Sequence, residues 1–435
     1  MSWLTAVEAL QVLQVRPQTL YANVSRKKIR AKPDPKDTRR SLYHEADVRK
    51  MVRQRGGQRK AAAVAAAAIQ WGDPILPSAV STVVEGRLYY RGRDAVVLAE
   101  TSSLEQVAEV LWGAEGVKSA RREGSVAGAS VAARGGQVGR AVSLALAPAL
   151  GDALNAKFSN TTSPLQRAFL SLGLRAATDL ASFGRALPVL QTDAASLLMA
   201  LADALLGERP RSSARGRGAS RARRASSLSP GPPPPLHERV ASSWRRREAS
   251  DIIRRALVLL ADHELNASTF ATRVAVSTGA PLAAGVLSGL AALSGPLHGR
   301  ASVGVQRLVS SVEKVGAEAT VREWLSMGHP VAGFGHPLYP LGDPRAKALM
   351  QQFTLPKEYA ELSAMVEREI GEQPNIDFAL SALTRVYGLP RDAPLILFAL
   401  GRCVGWLAHA LEQVTTGQPI RPRAQYVGPP PVAEA

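Results

Sequence analysis

Seven histidines stand in the chain, and three sit in settings that suit chemistry. His263 lies in the run DHELNASTF, His298 in GPLHGRAS and His336 in GFGHPLYPLGDPRA. Glycine beside a histidine lets backbone or substrate approach closely. A turn or helix end also leaves backbone N–H groups free to bind. A lone carboxylate, Asp377, sits in PNIDFAL, and three arginines, Arg345, Arg402 and Arg421, complete the set. The guanidinium fork matches carboxylate geometry, so these arginines suit a substrate with two carboxylates. A carboxylate with two histidines is the toolkit for taking a proton from carbon next to a carbonyl. One group accepts the proton and the others hydrogen-bond the developing oxygen charge. The three histidines and Asp377 follow one another at 35, 38 and 41 residues, so spacing alone proves no site, and structural histidines account for the same residues. No HxxxH or HxH pair supports a three-histidine metal site. The single cysteine, Cys403, excludes a zinc ribbon, an iron–sulfur cluster and an internal disulfide.

Positioning such distant residues takes a large core. The chain has 435 residues, 46% hydrophobic and 21% charged, an ordinary globular composition for two or three domains. Met1 to Ala9 shows no basic stretch ahead of an apolar run, so no signal peptide is expected and the expected location is the cytoplasm. Val274 to Leu297 is uncharged and long enough to cross a bilayer. Pro281 breaks it, however, and several glycines punctuate it. The expectation is a buried helix pair with close backbone contacts, and no membrane.

The net charge of +18 is concentrated in two places. Residues 1–60 carry 15 Lys or Arg against 5 Asp or Glu, and residues 208–235 carry 7 Arg against 1 Glu. A localised basic patch is the electrostatic footprint of nucleic-acid binding, and a solubilising tail or loop gives the same count. Residues 1–55 read as a compact unit. Thr5 and Glu8 form a capping box ahead of a first helix, with Ala6, Leu10 and Leu13 on one face. Pro17 suits the start of a second helix running to about Val24. Ile29 to Tyr43 suggests a hairpin or wing, and Glu45 to about Arg53 a third helix. TAVEALQVLQVRPQTLYANVSRKKI with its basic wing resembles the winged helix-turn-helix of the MerR and excisionase type. The resemblance implies DNA binding, with Gln18, Thr19, Tyr21 and Asn23 facing base edges or sugar. Arg26, Lys27, Lys28, Arg39 and Arg40 would then neutralise phosphates.

Residues 56–70 read as a connector. Beyond it the pattern is mostly helical, apart from two short strands expected in AVSTVVEGRLYY around Glu85-Gly86. Residues 208–235 are low-complexity Arg, Ser, Gly and Pro without apolar periodicity, so a disordered insertion is expected. The fold class is therefore mainly all-α.

Six motifs occur in order: YYRGRDAVVLAETSSLEQVAEVLW, DHELNASTF, GPLHG, GFGHPLYPLGDPRA, NIDF and GRCVGWLAHALEQ with IRPRAQYVG. Together they resemble the citrate synthase family, which includes 2-methylcitrate synthases. The resemblance is close over 75–112 and 236–428, loose over 113–207, and absent from the first 60 residues and the Arg-rich insertion. It implies a large helical domain over 71–299, a small one over 300–385 that closes over substrate, and a return to the large domain with a C-terminal arm over 386–435. It also implies a homodimer. Residue by residue, Asp377 matches the base that deprotonates the acyl-CoA, and His298 the group that hydrogen-bonds the thioester oxygen. His336 matches the group that polarises and protonates the oxaloacetate ketone. His263, Arg345 and Arg402 match oxaloacetate ligands, and Arg421 matches an arginine that reaches into the neighbouring subunit. Val331, Ala332, Gly333, Phe334 and Gly335 match the loop along coenzyme A. The implied reaction condenses acetyl-CoA with oxaloacetate, or propionyl-CoA in its place, and needs no cofactor beyond the thioester substrate.

The run after His298 departs from the family pattern of Gly-Gly-Ala-Asn, reading Gly299-Arg300-Ala301-Ser302. Arg300 is expected to crowd the site or to contact a phosphate or carboxylate. His409 and Cys403 are expected to be structural, and His237 and His329 to lie at the surface. A regulator whose synthase domain senses oxaloacetate or acyl-CoA is the alternative from another class, as is an N-terminal module that merely promotes assembly.

Overall fold

The computed structural model describes residues 3–13, 20–21, 23–24, 28–35, 37–49, 76–113, 163–207, 234–296, 298–328, 330–422 and 428. The expected connector over 56–70, and the 208–235 insertion up to residue 233, lie outside them.

The N-terminal unit contains β1 (Trp3–Leu4), α1 (Ala6–Leu13), β2 (Ala31–Asp34) and β3 (Asp37–His44). Its three strands are antiparallel in the order β1–β3–β2. The capping box forms: Thr5 N–H donates to Glu8 Oε2 at 2.8 Å, and Glu8 N–H donates to Thr5 Oγ1 at 3.3 Å. Leu20, Tyr21, Asn23 and Val24 are helical, and so are Glu45 to Arg49. Ala9, Leu13, Leu20, Ile29, Tyr43 and Val48 build a core of their own. Tyr21 is partly buried against this core and hydrogen-bonds Tyr43. Lys28 is exposed, and Arg39 and Arg40 lie on β3. Gln18, Thr19, Arg26 and Lys27 fall outside the described residues.

The two expected strands are β4 (Ser81–Val84) and β5 (Arg87–Tyr90), joined by β6 (Arg93–Asp94). Val84 pairs with Arg87 across a two-residue turn with Glu85 at φ 51 and Gly86 at φ 73, the positive pair that suits the twist of a tight hairpin. The remaining elements are helical: α2 (Ala95–Thr101), α3 (Leu104–Leu111), α4 (Pro164–Thr178), α5 (Leu187–Leu206), α6 (Leu236–Ser243), α7 (Ser250–Leu259), α8 (Ala267–Ser277) and α9 (Leu282–Leu293). Then follow α10 (Ala301–Val315), α11 (Ala317–Ser326), α12 (Pro344–Met350), α13 (Lys357–Ile370), α14 (Ile376–Val386) and α15 (Ala393–Thr416). Side chains of Asp94, Ser103, Ser163, Asn266, Asp343 and Asn375 accept first-turn N–H groups and so fix where six of these helices begin.

The described part of the apolar stretch, Val274 to Pro296, includes the end of α8 and all of α9, which pack antiparallel around the break at Pro281. A Cβ added at Gly289 would fall 2.5 Å from Thr272 Oγ1 and 2.9 Å from the Trp406 ring, so the small residue is what lets α9 settle against α8 and α15. Helix α15 is long and apolar enough to cross a bilayer, but it is buried almost end to end in the largest core. A second core gathers Val305, Leu308, Val331, Phe334, Leu362 and Phe378. Helix α14 serves both cores. Ile376, Ala379, Leu380 and Leu383 face the larger, and Phe378 and Ala382 the smaller. This spacing divides the helix into two apolar stripes. Burying Phe378 alone contributes about 1.5–3 kcal/mol, enough to fix the rotation of α14. Asp377 is thereby placed at the junction of the two cores.

Candidate active site

His263 sits in the turn between α7 and α8. Its Nε2 is 2.8 Å from Tyr339 Oη, and its ring meets His336 edge-on at 4.8 Å. The Tyr339 ring is 5.0 Å from His336, and the Arg345 guanidinium stands 5.3 Å from the Tyr339 ring centroid. Burial, reinforced by the Arg345 cation, holds His263 well below the ordinary histidine range, so its ring is neutral. Burial also pushes the Tyr339 hydroxyl up to about 12, so it keeps its proton. His336 Nδ1 accepts the Leu338 N–H at 3.2 Å, which leaves Nε2 to carry the proton of the neutral ring.

His298 lies between α9 and α10. Burial, with a smaller contribution from the Arg402 cation, lowers it to about 4. Its Nε2 is 2.9 Å from Ser268 Oγ, leaving Nδ1 for a substrate. The buried Ser268 hydroxyl also accepts Trp406 Nε1–H at 3.1 Å and lies 2.7 Å from Asn266 Oδ1. A hydroxyl has one proton, so Asn266 and His298 compete for it.

Asp377 occupies the first turn of α14. The residue keeps some exposure, but its Oδ1 is sealed from solvent and has no hydrogen-bond partner. Burial raises its carboxyl to about 6. The Arg345 and Arg402 cations and the backbone N–H of Ser302, at the start of α10, act in the opposite direction. A carboxylate of raised basicity with one oxygen left unpartnered is suited to accept a proton from carbon.

The two buried arginines are held differently. Arg345 Nε donates to Asp343 Oδ1 at 3.0 Å and Nη2 to Asp343 Oδ2 at 2.8 Å. Arg402 Nε donates to the Leu260 carbonyl at 3.1 Å, and its guanidinium lies 4.9 Å from the Phe398 ring centroid. Arg402 forms no ion pair among the described residues, and burial pushes it down to about 10. Buried cations normally have a partner, so Arg402 is suited to take up an anion. Among the described residues no group of three or more His, Cys, Asp or Glu side chains is placed to hold a metal ion.

The loop Val331 to Gly335 packs Val331 and Phe334 inward, Phe334 lying 5.0 Å from the Phe378 ring. Gly333 and Gly335 adopt φ of 85° and 68°. Phe334 bridges Pro374 in an antiparallel pair.

The structure thus gathers His263, His298, His336, Arg345, Asp377 and Arg402 into one electrostatic neighbourhood. Arg421 is not brought there within the chain. It follows α15, is exposed, and has no hydrogen bond or ion pair among the described residues. Arg300 corrects another expectation: it is exposed at the start of α10 and does not crowd the site. His409 is buried between Asp262 Oδ2 and Arg273 Nη1, each at 3.2 Å, and Cys403 is buried in the larger core. His237 is half-buried rather than a surface residue, and His329 lies outside the described residues. Sequence reasoning missed Ser268, Tyr339, Asp343 and Asn375. Asp343 alone carried a local signal, an Asp directly before Pro at a helix start.

The family model for the citrate synthase C-terminal domain matches residues 70–423. Citrate synthase 2 of Bacillus subtilis is 40% identical over 186 residues, covering 40% of this chain and 50% of that protein. Citrate synthase of Haloferax volcanii is 42% identical over 185 residues, covering 40% and 49%. The chain therefore spans about half the length of the curated relatives it matches. The crystal structure of citrate synthase from Thermotoga maritima superposes with a TM-score of 0.59 at 27% identity, covering 84% of this chain and 96% of that one. With most of its length matched by that family model, and with the fold to go with it, the chain belongs to the citrate synthase family.

Proposed function

We propose that the chain condenses an acyl-CoA thioester with oxaloacetate. Asp377 takes a proton from the carbon beside the thioester carbonyl, while His298 Nδ1–H hydrogen-bonds the thioester oxygen as negative charge develops there. The enolate carbon attacks the ketone carbon of oxaloacetate, and His336 gives the ketone oxygen a proton as the new bond forms. Water then cleaves the thioester, releasing coenzyme A and the tricarboxylate. His263, Arg345 and Arg402 bind the two oxaloacetate carboxylates, and Val331, Ala332, Gly333, Phe334 and Gly335 lie along coenzyme A. Arg421 enters the site of a second copy of the chain. The apolar surface of Leu180, Phe183 and Val189, at 61%, 78% and 47% exposure, suits such a pairing.

The observation that carries the reading is the pairing of opposite needs in one electrostatic neighbourhood. Asp377 Oδ1 is buried without a hydrogen-bond donor, and Arg402 is buried without an ion-pair partner among the described residues. A dianionic keto acid meets the second need and a carbon acid the first. The test is thiol release by the purified protein with oxaloacetate and either acetyl-CoA or propionyl-CoA, with Asp377→Ala as control. Turnover that disappears in the variant supports the reading, and the ratio between thioesters sets the acyl preference. No turnover with either thioester overturns it. One methylene discriminates by only about 1–3 kcal/mol, so both thioesters belong in the test.

A second reading concerns residues 1–55. They build a core of their own and present an antiparallel wing, β2–β3, together with helical residues Leu20, Tyr21, Asn23 and Val24. We read this unit as a DNA-binding module whose basic residues, Lys28, Arg39 and Arg40 among them, meet phosphates. Fluorescence anisotropy with duplex DNA tests it. Affinity that falls steeply with salt supports the module, and absence of binding at low salt removes it.

A further inference from the structure

One side chain ties the loop Val331 to Gly335 to the start of the Asp377 helix. Asn375 N–H donates to the Gly333 carbonyl at 2.8 Å. Its Nδ2 donates to the Gly335 carbonyl at 3.1 Å. Its Oδ1 accepts the Asp377 N–H at 3.0 Å as the cap of α14. The Gly335 N–H returns to the Gln373 carbonyl at 2.9 Å, and Phe334 bridges Pro374 between them. The amide of Asn375 therefore spends one end on the loop and the other on the backbone of Asp377. Few residue types do this. Asp caps as well but has no donor for Gly335, and Ser caps without reaching the loop.

We propose that Asn375 is a positioning residue that couples occupancy of the 331–335 loop to the placement of the Asp377 carboxyl. The inference rests on the condensing reading given above and deepens it. When a thioester lies along the loop, the loop backbone is held. Through the paired donor and acceptor of one amide, so is the first turn of α14. Without a thioester the loop is freer to move, and Asp377 with it. The base is thus set in place by the substrate it deprotonates.

The two ends of the amide separate by mutation. Asn375→Ser keeps an acceptor for the Asp377 N–H and removes the donor to Gly335, while Asn375→Ala removes both. A single neutral hydrogen bond corresponds to about 3- to 10-fold in an equilibrium constant. Asn375→Ser is therefore expected to raise the acyl-CoA KM about 3- to 10-fold and to lower kcat by a similar factor, because the occupied loop no longer holds the start of α14. Asn375→Ala is expected to lower kcat about 10-fold in addition, as the cap is lost. Oxaloacetate affinity, carried by Arg345 and Arg402, should hold in both variants. Hydrogen exchange of the full chain gives a readout independent of turnover: amides of 331–338 should exchange faster in Asn375→Ser while those of α15 do not change. Unchanged exchange at the loop, or an equal loss of acyl-CoA and oxaloacetate binding in the Ser variant, overturns the coupling. A parent protein that shows no turnover while the loop still loosens in the variant overturns the condensing reading instead, and leaves the tie itself established.

Discussion

Asp343 and Arg345, two residues apart, face each other as a two-pronged ion pair that is nearly closed to solvent. Asp343 also caps α12 and accepts the Ile376 N–H at 3.1 Å, so one carboxylate fixes both the arginine and the helix that carries Asp377. The flanking Pro344 starts α12 with its φ preset, which keeps the two side chains on the same turn.

Removing the anion from that pair leaves a buried guanidinium uncompensated. Asp343→Asn is expected to cost about 3–5 kcal/mol of stability, read from the urea midpoint. Asp343→Asn with Arg345→Gln should recover much of that loss, because a neutral pair needs no countercharge. A double variant no more stable than Asp343→Asn alone would show that Asp343 acts mainly through its caps.

The raised carboxyl of Asp377 gives a pH dependence with a definite sign. Activity needs the ionised form, so kcat/KM should rise with pH through an acid limb near the free group's value of about 6. Stability runs the other way. Between the ordinary value of 3.8 and about 6 the folded chain holds a proton that the unfolded chain has released, so this contribution is full at low pH and lost as pH rises through 6. Asp377→Asn should lose about 10³-fold or more in kcat. Against the parent it should also gain stability between pH 4 and 8, seen as a pH-dependent gap between the two melting temperatures. A constant gap would mean that the carboxyl titrates near its ordinary value.

Much of this site was legible in the chain, because glycine, proline and histidine runs mark local turns and those turns hold the chemistry. GPLHG and GFGHP place their histidines in turns between helices, and NIDF places Asp377 in the first turn of α14. What was not legible depends on packing between distant segments. Ser268 reaches His298 across 30 residues and Trp406 across 138, and no periodicity in either segment encodes that meeting. Tyr339 reads as an ordinary loop aromatic until His263 is seen against its hydroxyl 76 residues away. Arg300 misled for the converse reason. A large cation two residues after His298 suggests crowding, but at the start of α10 it is exposed to solvent.

Arg402 offers a test of the anion demand. Its replacement by Gln should weaken oxaloacetate binding by about 10²-fold or more, the scale of losing charge-assisted bonds at a buried site. The same change removes a buried charge with no ion-pair partner among the described residues, so it should leave the melting temperature level or higher. Calorimetric titration with oxaloacetate and a thermal scan read the two effects separately. A variant that loses stability and affinity together would show that the bond to the Leu260 carbonyl, rather than charge, is the larger part of what Arg402 does.

The Ser268 hydroxyl decides which nitrogen of His298 carries the proton. When it donates to Nε2, Nδ1 bears the hydrogen that a thioester oxygen needs. When it donates to Asn266, Nδ1 is bare. Ser268→Ala removes the choice and leaves Trp406 Nε1–H without its acceptor. Losing one oriented donor at a developing oxyanion costs about 10²-fold in kcat, and a smaller loss is expected here because His298 itself remains. A fall of about 10- to 100-fold in kcat with acyl-CoA KM little changed would fit. A change confined to KM would place Ser268 in substrate binding instead.

Gly333 separates backbone strain from packing in the same loop. Its φ of 85° disfavours any side chain, and a Cβ there would drive into Val305 Cγ2 while standing 3.2 Å from Phe378 Cβ. Gly316 has a φ of 83° and nothing within 4 Å of its Cβ position. Both Ala variants incur a positive-φ backbone penalty of about 1–3 kcal/mol, and only Gly333→Ala adds overpacking of about 1–3 kcal/mol. Because Val305 and Phe378 belong to the smaller core, Gly333→Ala should loosen that core and raise the acyl-CoA KM. Oxaloacetate binding through α12 and α15 should hold, and Gly316→Ala should alter stability alone. Equal destabilisation by the two variants would mean that the loop shifts to admit the methyl group, and that Val305 and Phe378 do not clamp it.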